Sequence, residues 1–490
     1  MIKTPLLSFL IFLLLLGTPE LVSSQNNLSA GFAKAKITNT ESLVMVNGRM
    51  SQGVKEDIYA RVLVLNDGNQ RLVIITYDLN CLDVGTPMLR ERLQNELGIP
   101  PEYVLLLATH NHSAPIQINT NNFEYGKWLA DVMYEAVEEA IESEIEDVSL
   151  TQGNGMGHFV VSVGNAPVDY EIQLLTVNKD DRPLVMFFTQ GVHPLQAAHN
   201  KIEAGHPGYA MDLIEDTFPG VQAIYSDASG GNQFVVHRSE YRKEMMNAMK
   251  VSIDSLERLM EKRARHVGGQ LAEAVVEIYS QNSNVPIEGP ISSTMDVLSL
   301  PLGQPLSKEE ALKLIRDVPD DVGFEQYPHD HRSTNWVRML LRYYENEIPI
   351  PTRTTDMVCT YDTYLIHKED QEFLEKYDYS LNKKFPCIYN EVIVAQIGSM
   401  PIVAMQGEIC APIGARIKDH FRRDRPIMVT GYMGEHNLYI PTRELVRQNA
   451  YQAQTLQIQY ASPVGWDPSV EDEMVNGVID LINRKLGKEE

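Results

Sequence analysis

The stretch Tyr103-Val104-Leu105-Leu106-Leu107-Ala108-Thr109-His110-Asn111-His112-Ser113-Ala114-Pro115 decides how the chain is read. The run from Tyr103 to Ala108 is apolar without interruption. It is short enough for a strand and reads as a buried one. Working outward, Tyr59 to Asn66 and Gln70 to Asp78 are strand-like and flank the turn Asp67-Gly68. A helix-like segment, Pro87 to Leu97, precedes the central run. After it, Leu129, Val132, Met133, Ala136, Val137, Ala140 and Ile141 recur with helical period. The opposite face carries Glu135, Glu138, Glu139 and Glu142, a solvated charge run.

The alternation continues along the chain. Ile172 to Val177 and Leu184 to Thr189 read as strands, Pro207 to Phe218 as a helix, and Val221 to Tyr225 as a strand. Met245, Met249, Ile253, Leu256 and Met260 form one face of a long helix. Asn282 to Pro305, rich in Pro, Ser and Gly, reads as a loop or subdomain junction. A more polar helical region runs to about Lys376. Strands return at Glu391 to Ile397 and Ile402 to Met405, with a helix after Ala411. Strands alternating with helices predict an α/β fold of layered mixed sheets flanked by helices. Candidate ligands come from both halves, which predicts a single large catalytic domain over 25–490.

Residues 1–24 have the features of a secretory signal peptide. Lys3 supplies the positive end, Leu6 to Leu16 the apolar run, and Val22 and Ser24 the small residues before a cleavage at Gln25. An N-terminal anchor is the alternative. The expectation is therefore a secreted or periplasmic protein. No later segment is long and apolar enough to be transmembrane. The formal net charge of −24 over 490 residues argues against nucleic acid as a partner. The four cysteines are Cys81, Cys359, Cys387 and Cys410, and their spacing matches no zinc finger. Cys359 and Cys387 are a possible disulfide pair; buried free thiols are the alternative.

Four segments carry chemistry. Thr109-His110-Asn111-His112 ends the central strand. Residues two apart on a strand share a face, so both imidazoles address one metal, or one binds metal while the other meets substrate. His329 and His331 form a second His-x-His pair, in a polar loop without a scaffold. Phe187 to Gln190 ends in Gly191-Val192-His193-Pro194, where a structural histidine and a ligand are both open. Ile402 to Gln406 ends in Gly407-Glu408, whose carboxylate is a ligand, a catalytic group, or a charge complementing the next helix dipole. Tyr439-Ile440-Pro441-Thr442-Arg443-Glu444 is followed by Tyr451, twelve residues after Tyr439.

In this order, the segments resemble the neutral, non-lysosomal ceramidase family. The matching elements are Thr109 to Pro115, Val192 to Pro194, Gly407-Glu408, and Tyr439 to Glu444 with Tyr451. Gly53, Tyr59-Ala60-Arg61 and Tyr77-Asp78-Leu79 resemble the family's first strands, and the likeness runs from about Ala30 to Ala461. It implies one zinc ion held by His110, His193, Glu408 and Tyr439, with His112 and Tyr451 beside the reacting carbonyl. Zinc lowers the pKa of its water to about 7 and polarises a carbonyl, and the two side groups are suited to stabilise an oxyanion.

The chain departs from the family pattern in places. Ser229-Gly230-Gly231-Asn232-Gln233-Phe234 stands where the family has Gly-Asp-x-Ser-Pro. Val160 to Ser162 replaces an Asn-Arg element, and Glu203-Ala204-Gly205-His206 replaces Ser-x-Asp. The family's C-terminal β-sandwich is expected to be missing. The resulting expectation is an exported zinc hydrolase that cleaves an N-acyl amide with metal-activated water. Its partner is a small lipid or polar acyl substrate, and His199 and His206 add polar groups nearby. Two alternatives stand beside it. One is a zinc hydrolase of a polar or carbohydrate-linked ester, lactone or amide. The other is a secreted binding protein with structural zinc. The sequence carries no signal of oligomeric state.

Overall fold

An apolar run without polar alternation needs cover on both faces, and the architecture provides it. The computed structural model describes residues 28–487, except 118–121, 164–165, 195–199, 236–237, 282, 317–334, 358–389, 423–424, 437 and 461. In chain order the strands begin with β1 (Ser29–Lys36), β2 (Tyr59–Asn66), β3 (Arg71–Tyr77), β4 (Val104–Ala108), β5 (Ser149–Met156), β6 (Val161–Ser162), β7 (Glu171–Lys179) and β8 (Arg182–Gln190). They continue with β9 (Gln222–Asp227), β10 (Gln233–Phe234), β11 (Val285–Ile287), β12 (Ile291–Val297), β13 (Glu391–Ile397), β14 (Met400–Gln406), β15 (Glu408–Ile409), β16 (Met428–Met433) and β17 (Tyr439–Ile440).

Two large sheets result. One has eight strands in the order β1-β2-β3-β4-β16-β14-β13-β12, the other five in the order β11-β5-β7-β8-β9. The pairs β3–β4, β14–β16 and β8–β9 are parallel and the remaining pairs antiparallel. The sheets pack face to face. Leu63, Leu65, Leu105 and Leu107 of the larger sheet meet Leu175, Val177, Val185 and Phe187 of the smaller. The alternate residues point the other way. Val62, Val64, Val104 and Leu106 pack under the helices Gly85–Leu97 and Phe123–Glu142. Val394 and Val403 pack under Ala411–Phe421 and Val470–Leu486. On the smaller sheet, Leu174, Met186 and Phe188 face Gly205–Thr217 and Ile253–Ser280. Each such side chain contributes roughly 1.5–3 kcal/mol by leaving water.

The result is a helix–sheet–sheet–helix sandwich in one domain, as the sequence predicted. Both halves of the chain contribute to the larger sheet. The ion pair Arg90–Glu391, 2.9 Å and buried on both sides, further ties the helix Gly85–Leu97 to β13.

Two expectations need correction. The stretch 282–305 is no simple loop, because β11 and β12 lie within it. The methionine stripe belongs to two helices, Arg238–Val251 and Ile253–Ser280, broken where Ser252 caps the second by accepting from Ser255 N at 3.1 Å. Leu256 and Met260 are buried, whereas Met249 and Ile253 are exposed. Cys81 and Cys410 are buried free thiols. The leader 1–24, Cys359, Cys387, His199, His329 and His331 lie outside the described residues. Among the described residues, no helix is long and apolar enough to cross a membrane.

Candidate metal centre

The site gathers at chain segments just beyond β4, β8 and β14. At the first, β4 stops at Ala108 and His110 takes a left-handed backbone, φ 55°. That conformation is uncommon for a residue with a side chain and must be held by its surroundings. Thr109 N donates to Tyr77 O at 3.0 Å and Asn111 N to Leu79 O at 3.1 Å. The Asn111 amide donates to the Asp78 and Glu203 carbonyls at 3.0 and 2.7 Å. Asp78 is itself fixed by Arg61, 3.1 Å away, and by Tyr59 N at 2.9 Å. The Tyr59-Ala60-Arg61 and Tyr77-Asp78-Leu79 elements therefore act as the clamp of the His110 turn. His110 and His112 do not converge as strand neighbours, contrary to the expectation. The turn brings their Nε2 atoms to 2.9 Å.

His193 follows β8 and is bridged to Phe234, with His193 N donating to Gln233 O at 3.0 Å. Its Nδ1 lies 3.1 Å from Gly230 O, which holds the proton on Nδ1 and leaves the Nε2 lone pair facing the cluster. The preceding amide, Val192 N, donates to the buried Asp227 Oδ1 at 2.9 Å.

Glu408 is delivered by a kink at Gly407. Gly407 has φ 95°, and a Cβ there would lie 2.4 Å from Leu438 O, so the close approach requires glycine. The short parallel pair β15–β17 then sets Glu408 opposite Tyr439 in register. Glu408 does not cap the following helix by hydrogen bond. The first amide of that helix, Ala411 N, donates instead to Asn232 Oδ1 at 2.8 Å.

These approaches bring four of the predicted residues together. Glu408 Oε2 lies 3.1 Å from His193 Nε2 and 3.4 Å from His110 Nε2, and His193 Nε2 lies 2.9 Å from Tyr439 Oη. His110, His193, Glu408 and Tyr439 are all buried. Burial raises the Glu408 carboxyl, but His110 and His193 outweigh it and hold the group well below the usual carboxylate range. Burial lowers the His110 pKa, with Glu408 opposing, and raises the Tyr439 phenol well above its ordinary value. His110, His112 and His193 form a group able to hold a metal ion, their ligand atoms lying within 4.8 Å of one another. The donor set fits such an ion: Glu408 Oε2 is buried and has no hydrogen bond from any protein group.

The predicted catalytic pair lies at the rim. His112 is half-buried, with its ring centroid 4.5 Å from that of His110. The Tyr451 ring stands edge-on to Tyr439 at 5.8 Å, and Gln459 donates to the Tyr451 hydroxyl at 3.0 Å. Ser229 to Phe234 forms the inner wall. It supplies the Gly230 carbonyl to His193 and the Asn232 carboxamide to Ala411. His206 is fully buried, with both ring nitrogens unpartnered and its pKa pushed down to about 3 by burial. It is a neutral core residue at the start of Gly205–Thr217, where Gly268 packs on its carbonyl. One neighbour has no counterpart in the sequence reading. Tyr432, in β16, is buried with φ 55° and lies 4.3 Å from His110, ring to ring. Its amide donates to Gly407 O at 2.9 Å, so it touches the supports of two candidate ligands.

No family model matches the sequence, and no curated protein matches it. Solved structures do share the fold. A ceramidase complexed with C2 superposes with a TM-score of 0.63 at 15% identity, covering 94% of this chain and 76% of that one. Neutral ceramidase from Pseudomonas aeruginosa gives a TM-score of 0.62 at 16% identity, covering 93% and 74%. The chain thus has the fold of these ceramidases, at an identity where the likeness is one of architecture.

Proposed function

We propose that the cluster holds one zinc ion through His110, His193, Glu408 and Tyr439, and that the protein is a hydrolase of an acyl bond, foremost an N-acyl amide. The observation that carries this is the buried Glu408 Oε2, which no hydrogen bond satisfies and which faces His193 Nε2 and His110 Nε2 at 3.1 and 3.4 Å, with Tyr439 Oη 2.9 Å from the same His193 nitrogen. A buried acceptor left without a partner costs about 1–3 kcal/mol, more when charged, so a bound cation is its natural complement. Zinc bound there would supply a water of pKa about 7 and a Lewis acid for the carbonyl.

The chain's own residues supply the rest. The Gly230 carbonyl fixes the His193 tautomer, and the Gly407 kink aims Glu408. His112 and Tyr451, at the rim, donate to the carbonyl oxygen as it gains negative charge. Gln459, by donating to the Tyr451 oxygen at 3.0 Å, helps to hold the phenol at the rim. Export follows from residues 1–24 as part of the same proposal.

Similarity to ceramidases favours an N-acyl lipid as substrate. A second reading, a short or polar acyl substrate, rests on the departures from the family pattern at Val160 to Ser162 and Ser229 to Phe234, the latter placing the Gly230 carbonyl and the Asn232 carboxamide beside the cluster. The test is kcat/KM for N-acylsphingosines of increasing acyl length beside short N-acyl and O-acyl sugars. A buried acyl chain gains about 0.8 kcal/mol per methylene, so a lipid hydrolase should improve steeply with chain length. Activity confined to the sugars would establish the second reading. Activity on neither series would contradict the hydrolase proposal.

A further inference from the structure

A cavity of about 290 Å³ opens between β5, β7 and the C-terminal end of the helix Ala411–Phe421. That helix has 11 residues and begins beside Glu408, so its far end stands about 16 Å from the histidine cluster at 1.5 Å per residue. The floor is built by Gln173, whose carboxamide donates to Ile427 O at 2.6 Å and accepts from Val429 N at 3.0 Å. Gln152 and Asn154 add neutral polar groups, joined at 2.7 Å.

Three cations, Lys418, Arg422 and Arg425, and one carboxylate, Glu171, line this space. Two of the cations are matched. Buried Lys418 Nζ lies 2.6 Å from Asp169 and 2.7 Å from Glu171, and Arg422 lies 2.8 Å from Glu171. Lys418 in the last turn and Arg422 at the C-cap also complement the helix dipole. Arg425 stands at the same helix end, its amide donating to Phe421 O at 3.1 Å. Its Nε is buried without a hydrogen-bonding partner, and among the described residues no carboxylate pairs with its guanidinium. An unmatched guanidinium in a chain of net charge −24 is a specific feature, because acids to pair with it are plentiful elsewhere.

We propose that this cavity is a second ligand site, separate from the metal centre, for a small oxyanion. With Nε sealed in the protein, the two outer Nη groups of the Arg425 guanidinium would take a carboxylate or a phosphate in bidentate fashion. Gln152 and Asn154 would complete the polar shell, and Val285 and Pro426 would offer a small apolar wall. The site does not depend on the hydrolase proposal.

The test is titration calorimetry of the full chain with inorganic phosphate and with acetate, at ionic strength held constant with chloride. Glucose serves as the neutral control. We expect saturable binding of at least one anion and none of glucose, with the stronger anion naming phosphate or carboxylate as the natural group. Binding should weaken at least tenfold in Arg425→Ala and in Val285→Glu, which sets a repelling carboxylate at an exposed wall position. It should be unchanged in His193→Ala. If Arg425→Ala does not fold, Val285→Glu decides. No saturable heat with either anion, equal binding in the variants, or binding lost in His193→Ala would overturn the proposal. The last result would put the anion at the histidine cluster.

Discussion

His112 and Tyr451 stand at the rim of the cluster, while His110, His193, Glu408 and Tyr439 form its buried centre. This separation divides the roles. If His112 and Tyr451 are the oxyanion donors proposed above, His112→Ala and Tyr451→Phe should each lower turnover by on the order of 100-fold with metal content retained. Metal lost from His112→Ala would instead make His112 a ligand, consistent with its 2.9 Å approach to His110. At this scale the sequence was legible where a strand ran straight into a polar residue, as at Ala108 to His110 and Gln190 to His193. Tyr439 was reached through family likeness, because a phenol is a rare ligand. Tyr432 was not reached at all. Its left-handed backbone and contact with His110 depend on β16 meeting the other strand ends, which no local pattern encodes.

Among the elements, the shortest strands matter most to the site. The pair β15–β17 has two residues on each side, yet it sets Glu408 beside Tyr439. The kink at Gly407 makes that pairing possible. Gly407→Ala should therefore weaken metal binding by tenfold or more, since its Cβ would press on Leu438 O and φ would stay positive. Gly68→Ala is the control. Gly68 also has positive φ but faces open space, so its change should cost stability alone. Equal metal affinity in wild type and Gly407→Ala, by competition with a chelating dye, would show that the kink does not position Glu408. The long strands were legible because their apolar runs are buried on both faces. β11 and β12 were not, because Pro286, Gly289 and Pro290 punctuate them. Both are edge strands, where proline is tolerated, so turn-like composition concealed them.

Across the whole molecule, the eight-stranded sheet unites the two halves of the chain. β1 to β4 come from the first half, and β12, β13, β14 and β16 from the second. The cluster repeats that division, with His110 and His193 from one half and Glu408 and Tyr439 from the other. The layered α/β class was legible from alternating patterns, and the single domain from candidate ligands lying in both halves of the chain. The sheet order was not, because β4 pairs with β16 across more than 300 residues of sequence. A site assembled this way should couple metal to global stability, since only the folded chain presents all four groups. The most direct test of the proposed centre is elemental analysis of the purified full chain and of the His110→Ala/His193→Ala double variant. We expect about one zinc per chain in the wild type and almost none in the double variant, with circular dichroism showing the fold retained. Full zinc occupancy in the folded double variant, or a wild type that binds no zinc when it is supplied, would contradict the assignment.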